Sequence, residues 1–466
     1  MQNNTFSLII NSQKVDIQDL SPTLTLLEYL RSSGRVGTKE GCGDGDCGAC
    51  TVAVVGQGAN GQPQYLAMNS CLIPLAMMAG REIITVEGVG KYGLHPLQEA
   101  MVSLGGSQCG YCTPGFIMSL FAAYYNGQVD DESLEGNLCR CTGYLPIIKA
   151  AEAVNNSHPC DQFSHRLQQI NSQLNYIEYI TPCQQFFRPI QLSEVLYLLQ
   201  QYPQAQLIAG GTDLGLEISH HRQEFPTLIS LESVTELQQM HHNSDTVEIG
   251  AAIPLSYIQA QLREIFPSLD EMLTWFAGKQ IRNRATIGGN IATASPIGDL
   301  APVLLSLDAQ IRLASLTGER IIAIAEFFQG YRQTQLQPQE VIISIIMPKT
   351  ITQNAVTRFS QSYKVGKRGT DDISIVSAAF TIDLDTNNTI IYARLAYGGV
   401  AAIPLRAIEI EGMLIGKPWN LATIQQAKIM LKNVFNPLTD LRGSASYRKR
   451  LVANLFEKFF LEFPPR

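Results

Sequence analysis

The residues with the most chemistry in them are cysteines, and they come in two sets. The first is Cys42, Cys47 and Cys50, completed by Cys71; it starts in the stretch GCGDGDCGAC, residues 41–50, where three cysteines sit among four glycines. A C-x4-C-x2-C run with a distant fourth cysteine is the spacing with which plant-type ferredoxins hold a [2Fe–2S] cluster. Four thiolates also suit zinc, but zinc ribbons use paired C-x2-C knuckles, which this first arm lacks. A loop wrapped around a cluster turns tightly with its N–H groups toward sulfur, and glycine permits such turns. The second set is Cys109 and Cys112, then Cys139 and Cys141. It falls between helical patterns. TPGFIMSLFAAYYNG has Thr113 and Pro114 as start signals and Gly127 as a stop, and TGYLPIIKAAEAV reads as a second helix. Cys112 and Cys141 are thus expected just before helix starts, where the macrodipole favours a thiolate. On spacing alone this set suits an iron–sulfur cluster or zinc. Cys160 and Cys183 have no such neighbours.

The elements that must carry these residues are those of a globular chain. Its 466 residues are 45% apolar and 16% charged, enough for about three domains of roughly 150 residues each. The net charge is −7 and no run of Lys/Arg marks a nucleic-acid footprint. The start, MQNNTFSLIINSQ, lacks a basic, then apolar leader, and no apolar run reaches the ~20 residues of a membrane helix. A soluble, cytoplasmic protein with no membrane and no nucleic-acid partner is expected. All ten cysteines lie at or before Cys183, and a reducing compartment argues against disulfides, so cysteine chemistry belongs to the first part of the chain. Strand patterns surround one helix near TLLEYLRSSG. VVGQGANG contains Gly56-x-Gly58-x-x-Gly61 after the strand-like TVAVV, yet a dinucleotide fingerprint requires a helix opening at the glycines, and QPQYLAMNS reads as strand. The stretch is therefore a hairpin loop. Residues 158–185, rich in Asn and Gln, read as a surface connector. After Phe187 come two turns of small residues, in QLIAGGTDLGLEI and GKQIRNRATIGGN; such turns let backbone N–H groups approach a diphosphate.

The segments GCGDGDCGACTV, SQCGYCTPG and GNLCRCTGY, in this order, resemble the iron–sulfur half of the xanthine dehydrogenase and molybdenum hydroxylase family. The resemblance implies [2Fe–2S] clusters on both cysteine sets, the second within a four-helix domain. The later segments resemble the FAD domain shared by xanthine dehydrogenases, aldehyde oxidases and vanillyl-alcohol-oxidase-type flavoproteins. By that resemblance the pyrophosphate loop is Leu207, Ile208, Ala209, Gly210, Gly211, Thr212, Asp213 and Leu214. Phe276 lies beside the isoalloxazine; Thr286, Ile287, Gly288, Gly289, Asn290 and Asp299 contact FAD, as do Ile342 and Lys364. Ile342 also fits an ordinary buried strand. FFQGYRQT resembles a segment on the nicotinamide side, with Tyr331 the candidate contact, or else a core tyrosine. VGKRGTDDISI matches a loop near the flavin through Arg368, Asp371 and Asp372, with Asp371 assigned to the NAD side. It carries Gly369 and Thr370 where vertebrate members have a charged pair, so their oxidase switch is not carried over.

The implied fold is a multidomain α+β chain. A [2Fe–2S] ferredoxin-like β-grasp domain spans 1–90, a helical [2Fe–2S] domain 91–157, and the linker 158–185. An α+β FAD-binding domain of vanillyl-alcohol-oxidase and CO-dehydrogenase-flavoprotein type spans 186–349, and a C-terminal α+β domain 350–466. The resemblance further implies the small subunit of a bacterial-type xanthine dehydrogenase, with no catalytic residue for hydroxylation on this chain. Electrons from a molybdenum-cofactor-binding large subunit would pass through both clusters to FAD and NAD+ as hypoxanthine and xanthine become urate, in a dimer of heterodimers. The alternative is the same architecture serving an aldehyde or another N-heterocycle.

Overall fold

Thr51–Gln57 is an apolar run without polar alternation because both of its faces are used. Val52 and Val54 point into one core with Leu8, Ile10 and Leu30, while Ala53 and Val55 point into another with Phe116 and Phe121. Thr51–Gln57 pairs antiparallel with Pro63–Asn69, so the glycine stretch between them is a hairpin connection, as expected. Glu82–Ile84 joins that hairpin to Thr5–Ile10, giving a five-stranded mixed sheet whose far edge is Gln13–Gln18. Against it lies the helix Leu26–Ser32, opened by a capping box in which Thr25 and Glu28 each satisfy the other's backbone N–H.

The computed structural model describes residues 4–59, 61–127, 129–154, 160–169 and 174–465. The chain divides into two compact units. One comprises Met1–Thr235, Pro254–Tyr257 and Ala277–Ala285, the other Glu236–Ile253, Ile258–Phe276 and Thr286–Arg466. In the first unit the β-grasp sheet is followed by the helices Pro96–Ser103, Thr113–Tyr125, Leu145–Val154 and Gln162–Gln169. Thr113–Tyr125 is buried on every side from Gly115 to Tyr124 and forms the centre of that bundle. A four-stranded sheet then runs Ile177–Ile180, Gln185–Arg188, Thr227–Ser230 and Gln206–Ile208, the last three parallel.

The connector expectation for 158–185 needs correction. Gln162–Gln169 is a helix whose Phe163 is buried among Phe121 and Tyr125, and the Tyr65 hydroxyl donates to the Phe163 carbonyl at 3.1 Å. Ile177–Ile180 is a paired strand, with Tyr179 fully buried edge-on to Phe6. Two lone aromatics thus anchor a segment whose polar composition suggests none. Residues 158–159 and 170–173 of that span lie outside the described residues.

In the second unit one antiparallel sheet has the order Met240–His242, Thr246–Gly250, Val341–Pro348, Gln310–Ser315, Gly318–Ala323. The other joins Thr357–Val365, Val376–Leu384, Ile390–Gly398 and Leu405–Arg406. Val376–Leu384 is buried throughout, and its Phe380 packs against Phe456 and Phe459 of the helix Ala445–Glu462. Among the described residues no helix is long and apolar enough to cross a membrane.

Candidate cofactor sites

The loop 41–50 is shaped around sulfur. Gly43 and Gly45 have φ of 78° and 89°, a left-handed conformation that favours glycine. A Cβ on Gly41 would lie 2.5 Å from Cys47 Sγ. The N–H of Cys42 donates to Cys47 Sγ at 3.2 Å, and the N–H of Cys47 to Cys42 Sγ at 3.3 Å. Cys50 and Cys71 are buried, and their thiols meet each other. The four thiols thus form two pairs. In each, a shared hydrogen bond splits the acidities. The Cys42 thiol brings Cys47 down to about 6 and is itself pushed up; the Cys71 thiol lowers Cys50 and is itself pushed up.

The second set repeats this arrangement. Cys109 pairs with Cys141 and Cys112 with Cys139. The Cys139 thiol is held below its usual value, against the effect of burial, by the Thr142 hydroxyl at 3.1 Å and the Thr142 N–H at 3.5 Å. Cys112 is the N-cap of Thr113–Tyr125, as expected, but its thiol is pushed up to about 12, first by burial and then by Cys139. Desolvation outweighs the helix dipole there. Cys141 is separated from Leu145–Val154 by three residues, further from a helix start than expected. Among the described residues no three His, Cys, Asp or Glu side chains gather around one ion. Two pairs per set is the division a two-iron cluster needs, with one pair for each iron, whereas closed zinc sites place four ligands on one ion. The donor sets, with N–H groups aimed at sulfur, fit [2Fe–2S].

The loop 207–214 belongs to the same unit. It leaves the strand Gln206–Ile208 and enters the short helix Leu214–Ser219. Gly210 is pressed on the backbone of the 277–285 segment, where a Cβ would lie 1.8 Å from the Arg284 carbonyl oxygen; Arg284 Nε donates back to the Gly210 carbonyl at 2.8 Å. A Cβ on Gly215 would lie 2.5 Å from the Leu72 carbonyl, beside Cys71, and Ser219 Oγ donates to the Gly43 carbonyl at 2.7 Å. The helix that follows the 207–214 loop is therefore in contact with Gly43 and Leu72, neighbours of Cys42 and Cys71.

The second unit holds the remaining flavin candidates. Thr286 caps Ile287–Ala292 by accepting from the Gly289 N–H at 3.1 Å, and Gly288 lies where a Cβ would meet Ala251 at 2.6 Å. Asn290 Oδ1 is buried without a hydrogen-bond partner, an acceptor left available for a ligand. Asp299 and Lys364 come together as a buried ion pair at 3.0 Å, with Ser374 Oγ donating to the other carboxylate oxygen at 2.5 Å. Lys364 also donates to the Trp275 and Thr370 carbonyls. Ile342 is a buried strand residue opposite Leu313. Phe276 and Asp371 are partly buried, and Asp372 pairs with Arg368 at 2.7 Å. Tyr331 is 63% exposed, so it is no core tyrosine. Sequence reasoning missed Thr142, whose only signal is its place right after Cys141, and Arg284, which has none.

Four family matches cover nearly the whole chain. They are a 2Fe-2S iron-sulfur cluster binding domain at residues 8–76, a [2Fe-2S] binding domain at 85–152, the FAD binding domain in molybdopterin dehydrogenase at 181–350, and the CO dehydrogenase flavoprotein C-terminal domain at 361–463. Xanthine dehydrogenase 2 of Arabidopsis thaliana is 35% identical over 99% of this chain and 40% of its own length; the Oryza sativa xanthine dehydrogenase is 34% identical over 97% and 39%. The chain thus spans about two fifths of these relatives. Among solved structures, a carbon monoxide dehydrogenase chain from Hydrogenophaga pseudoflava matches with a TM-score of 0.55 and 28% identity, covering 60% of this chain and 96% of that one. A chain of quinoline 2-oxidoreductase from Pseudomonas putida 86 matches with 0.54 and 25%, covering 60% and 96%. With two 2Fe-2S domains, an FAD domain and the flavoprotein C-terminal domain, this chain has the domain set of the small subunits of molybdenum hydroxylases, an oxidoreductase family.

Proposed function

We propose that this chain is the iron–sulfur and FAD part of a xanthine dehydrogenase, relaying electrons from a molybdenum-cofactor-binding large subunit to NAD+ as hypoxanthine and xanthine are oxidised to urate in the cytoplasm. The observation that carries the relay is the run of contact within one unit, from Asn137 beside the second cysteine set to Gly48 in the loop of the first, and from Gly43 and Leu72 beside that set to the helix that follows the 207–214 loop. The similarity to xanthine dehydrogenases over 97–99% of the chain supports the substrate class. Coverage of 96% of the matched chains in solved structures, against about two fifths of the xanthine dehydrogenases, supports a molybdenum portion on a different polypeptide; a dimer of heterodimers is the assembly that belongs to this reading. The domain division at 90, 157, 185 and 349 belongs to this reading, beside matches that run 8–76, 85–152, 181–350 and 361–463.

In this reading Cys109, Cys112, Cys139 and Cys141 hold the cluster on the entry side, and Cys42, Cys47, Cys50 and Cys71 the one on the flavin side. When bound, the clusters would supply one-electron chemistry and FAD the link between one-electron and two-electron chemistry. The protein's share is binding and tuning. N–H groups of the 41–50 loop offset charge on sulfur, and Thr142 does so for Cys139. The 207–214 turn offers backbone N–H groups to a diphosphate, and Thr286, Ile287, Gly288, Gly289 and Asn290 are FAD-binding candidates of the second unit. Phe276, Asp299, Ile342 and Lys364 position the flavin, with Tyr331 and Asp371 on the NAD side.

A second reading keeps the relay but gives the large subunit an aldehyde or other N-heterocycle, and the matches to carbon monoxide dehydrogenase and quinoline 2-oxidoreductase favour it. Reconstitution with the large subunit separates the two. The first reading expects four irons, one FAD and two paramagnetic signals per chain, NADH–dye activity from this chain alone, and xanthine-dependent NAD+ reduction in the complex. Turnover of aldehydes or quinolines but not xanthine favours the second. Two irons per chain, or bound zinc, would defeat both.

A further inference from the structure

Three parallel strands of the first unit end on one edge, and charge gathers there. Gln185–Arg188 ends in Arg188, Thr227–Ser230 leads to Glu232, and Gln206–Ile208 leads into the 207–214 loop. Arg81, Arg188 and Arg284 surround Glu232, with N···O distances of 2.7, 3.8 and 3.7 Å. None of the four side chains is more than 11% exposed. Glu232 is the one carboxylate that pairs with these arginines among the described residues, so three positive charges face one negative and the cluster carries a net charge of +2. The other partners are neutral. Arg188 Nε donates to the Asn175 carbonyl at 3.2 Å, Arg188 Nη1 and Arg81 Nε reach the Met77 carbonyl at 3.5 and 3.3 Å, and Arg284 Nη2 meets Met77 Sδ at 3.4 Å. Burial brings Arg188 and Arg284 down to about 10, with Glu232 opposing the fall and Arg81 adding to it. Both are still cations at neutral pH. Buried charge without an equal partner is costly, so the excess calls for an anion to balance it.

The cluster is fastened to the 207–214 loop. Arg284 Nε donates to the Gly210 carbonyl at 2.8 Å, and Gly210 packs so closely that a Cβ there would lie 1.8 Å from the Arg284 carbonyl oxygen. We infer that Arg81, Arg188, Arg284 and Glu232 are a buried counter-charge for a diphosphate held on that loop, acting through the Gly210 peptide without touching the ligand. The inference rests on the proposed assignment of 207–214 to the FAD diphosphate and deepens it. The loop supplies N–H groups, and the four side chains beneath it set how strongly the loop prefers a nucleoside diphosphate. Two physical effects connect them. A charge in a poorly polarisable interior reaches further than one in water. The guanidinium bond to the Gly210 carbonyl also polarises the peptide whose N–H belongs to Gly211, strengthening that donor. The place agrees, because parallel strands commonly receive ligands outside their carboxyl ends. The four are positioning residues for the diphosphate.

Charge variants of the full chain, stripped of flavin and titrated with FAD in a calorimeter, test this. Arg188→Met lowers the net charge of the cluster by one, and Glu232→Gln raises it by one at nearly constant shape. Each disturbs a buried pair, so both should unfold at lower urea concentration than the unsubstituted chain. Their effects on affinity should differ in sign. FAD should bind about tenfold more weakly to Arg188→Met and several-fold more tightly to Glu232→Gln, as expected for one unit charge in a partly screened interior. The double variant restores the net charge and should return the affinity to near its starting value. It also keeps the test decisive if Glu232→Gln alone does not fold. A purely structural role weakens binding in every variant, so loss of affinity in both single variants without recovery in the double one overturns the counter-charge. Affinity unchanged in all three overturns it equally. Gly210→Ala separates this from the loop assignment: if it binds FAD as tightly as the unsubstituted chain, the diphosphate is not on 207–214 and the reading beneath the inference fails.

Discussion

The ion pair of Asp299 and Lys364 lends itself to a quantitative test. The two side chains are 9% and 5% exposed, and their charged atoms lie 3.0 Å apart. At an effective dielectric constant near 20 their attraction is about 5 kcal/mol, before the cost of taking both ions out of water. Lys364→Met removes the positive charge and the bonds to the Trp275 and Thr370 carbonyls, leaving the carboxylate only Ser374. Removing one partner of a buried pair costs about 3–5 kcal/mol, and the two lost carbonyl bonds put this variant near the top of that range. Asp299→Asn keeps the Ser374 and carbonyl bonds and belongs near the bottom. The double variant buries no unpaired charge, so its cost should be no greater than that of Lys364→Met alone, a coupling of about 3 kcal/mol. Urea unfolding followed by tryptophan fluorescence is a clean assay, because the chain's two tryptophans, Trp275 and Trp419, both lie in the second unit with this pair. It is run on flavin-free protein, so that lost ligand binding does not count as lost stability. Additive costs in the double variant would refute the pairing argument.

Three further outcomes are expected. Thr142→Val removes the hydroxyl donor to Cys139 and keeps the N–H, so redox titration followed by electron paramagnetic resonance should show one cluster shifted to lower potential and the other unmoved. Gly210→Ala drives a methyl into the Arg284 carbonyl, so purified protein should lose flavin while its iron content stays constant. The His95 ring accepts from the Leu97 N–H and bonds Tyr125, whose hydroxyl donates to Asp161; burial brings its pKa down to about 4, with Asp161 opposing. The neutral ring is therefore favoured in the fold, so its contribution is complete above about pH 6.5 and declines as pH falls toward 4, a loss of about 3 kcal/mol. His95→Asn keeps a capping acceptor, and the difference between its pH–stability profile and that of the unsubstituted protein should show this slope; parallel profiles would remove His95 from the account.

What the sequence made legible was what is local. Cysteine spacing encodes ligand chemistry because a cluster loop is short, and the capping box at Thr25 and Glu28 needs only adjacent residues. The helix Gln162–Gln169 escaped because a single buried ring, Phe163, anchors it, and one apolar residue in a polar stretch gives no period to detect. Cys112 misled differently: its place at a helix start was readable, but the burial that overrides the dipole depends on residues distant in sequence. The pairing of Asp299 with Lys364 was equally unreadable, although each was a candidate by itself.

Glycine shows the limit most sharply. In the 41–50 loop, glycine next to cysteine suggests tight turning, and the left-handed φ of Gly43 and Gly45 supports that explanation. Gly115 has no such excuse. It sits in the first turn of a helix, where alanine is the better helix former, and nothing in TPGFIMSLFAAYY says why. The reason is the Gly48 carbonyl, 2.2 Å from where a Cβ would stand. A glycine that local structure disfavours therefore marks a close approach of distant backbone, and here that approach is where the two cysteine sets come together.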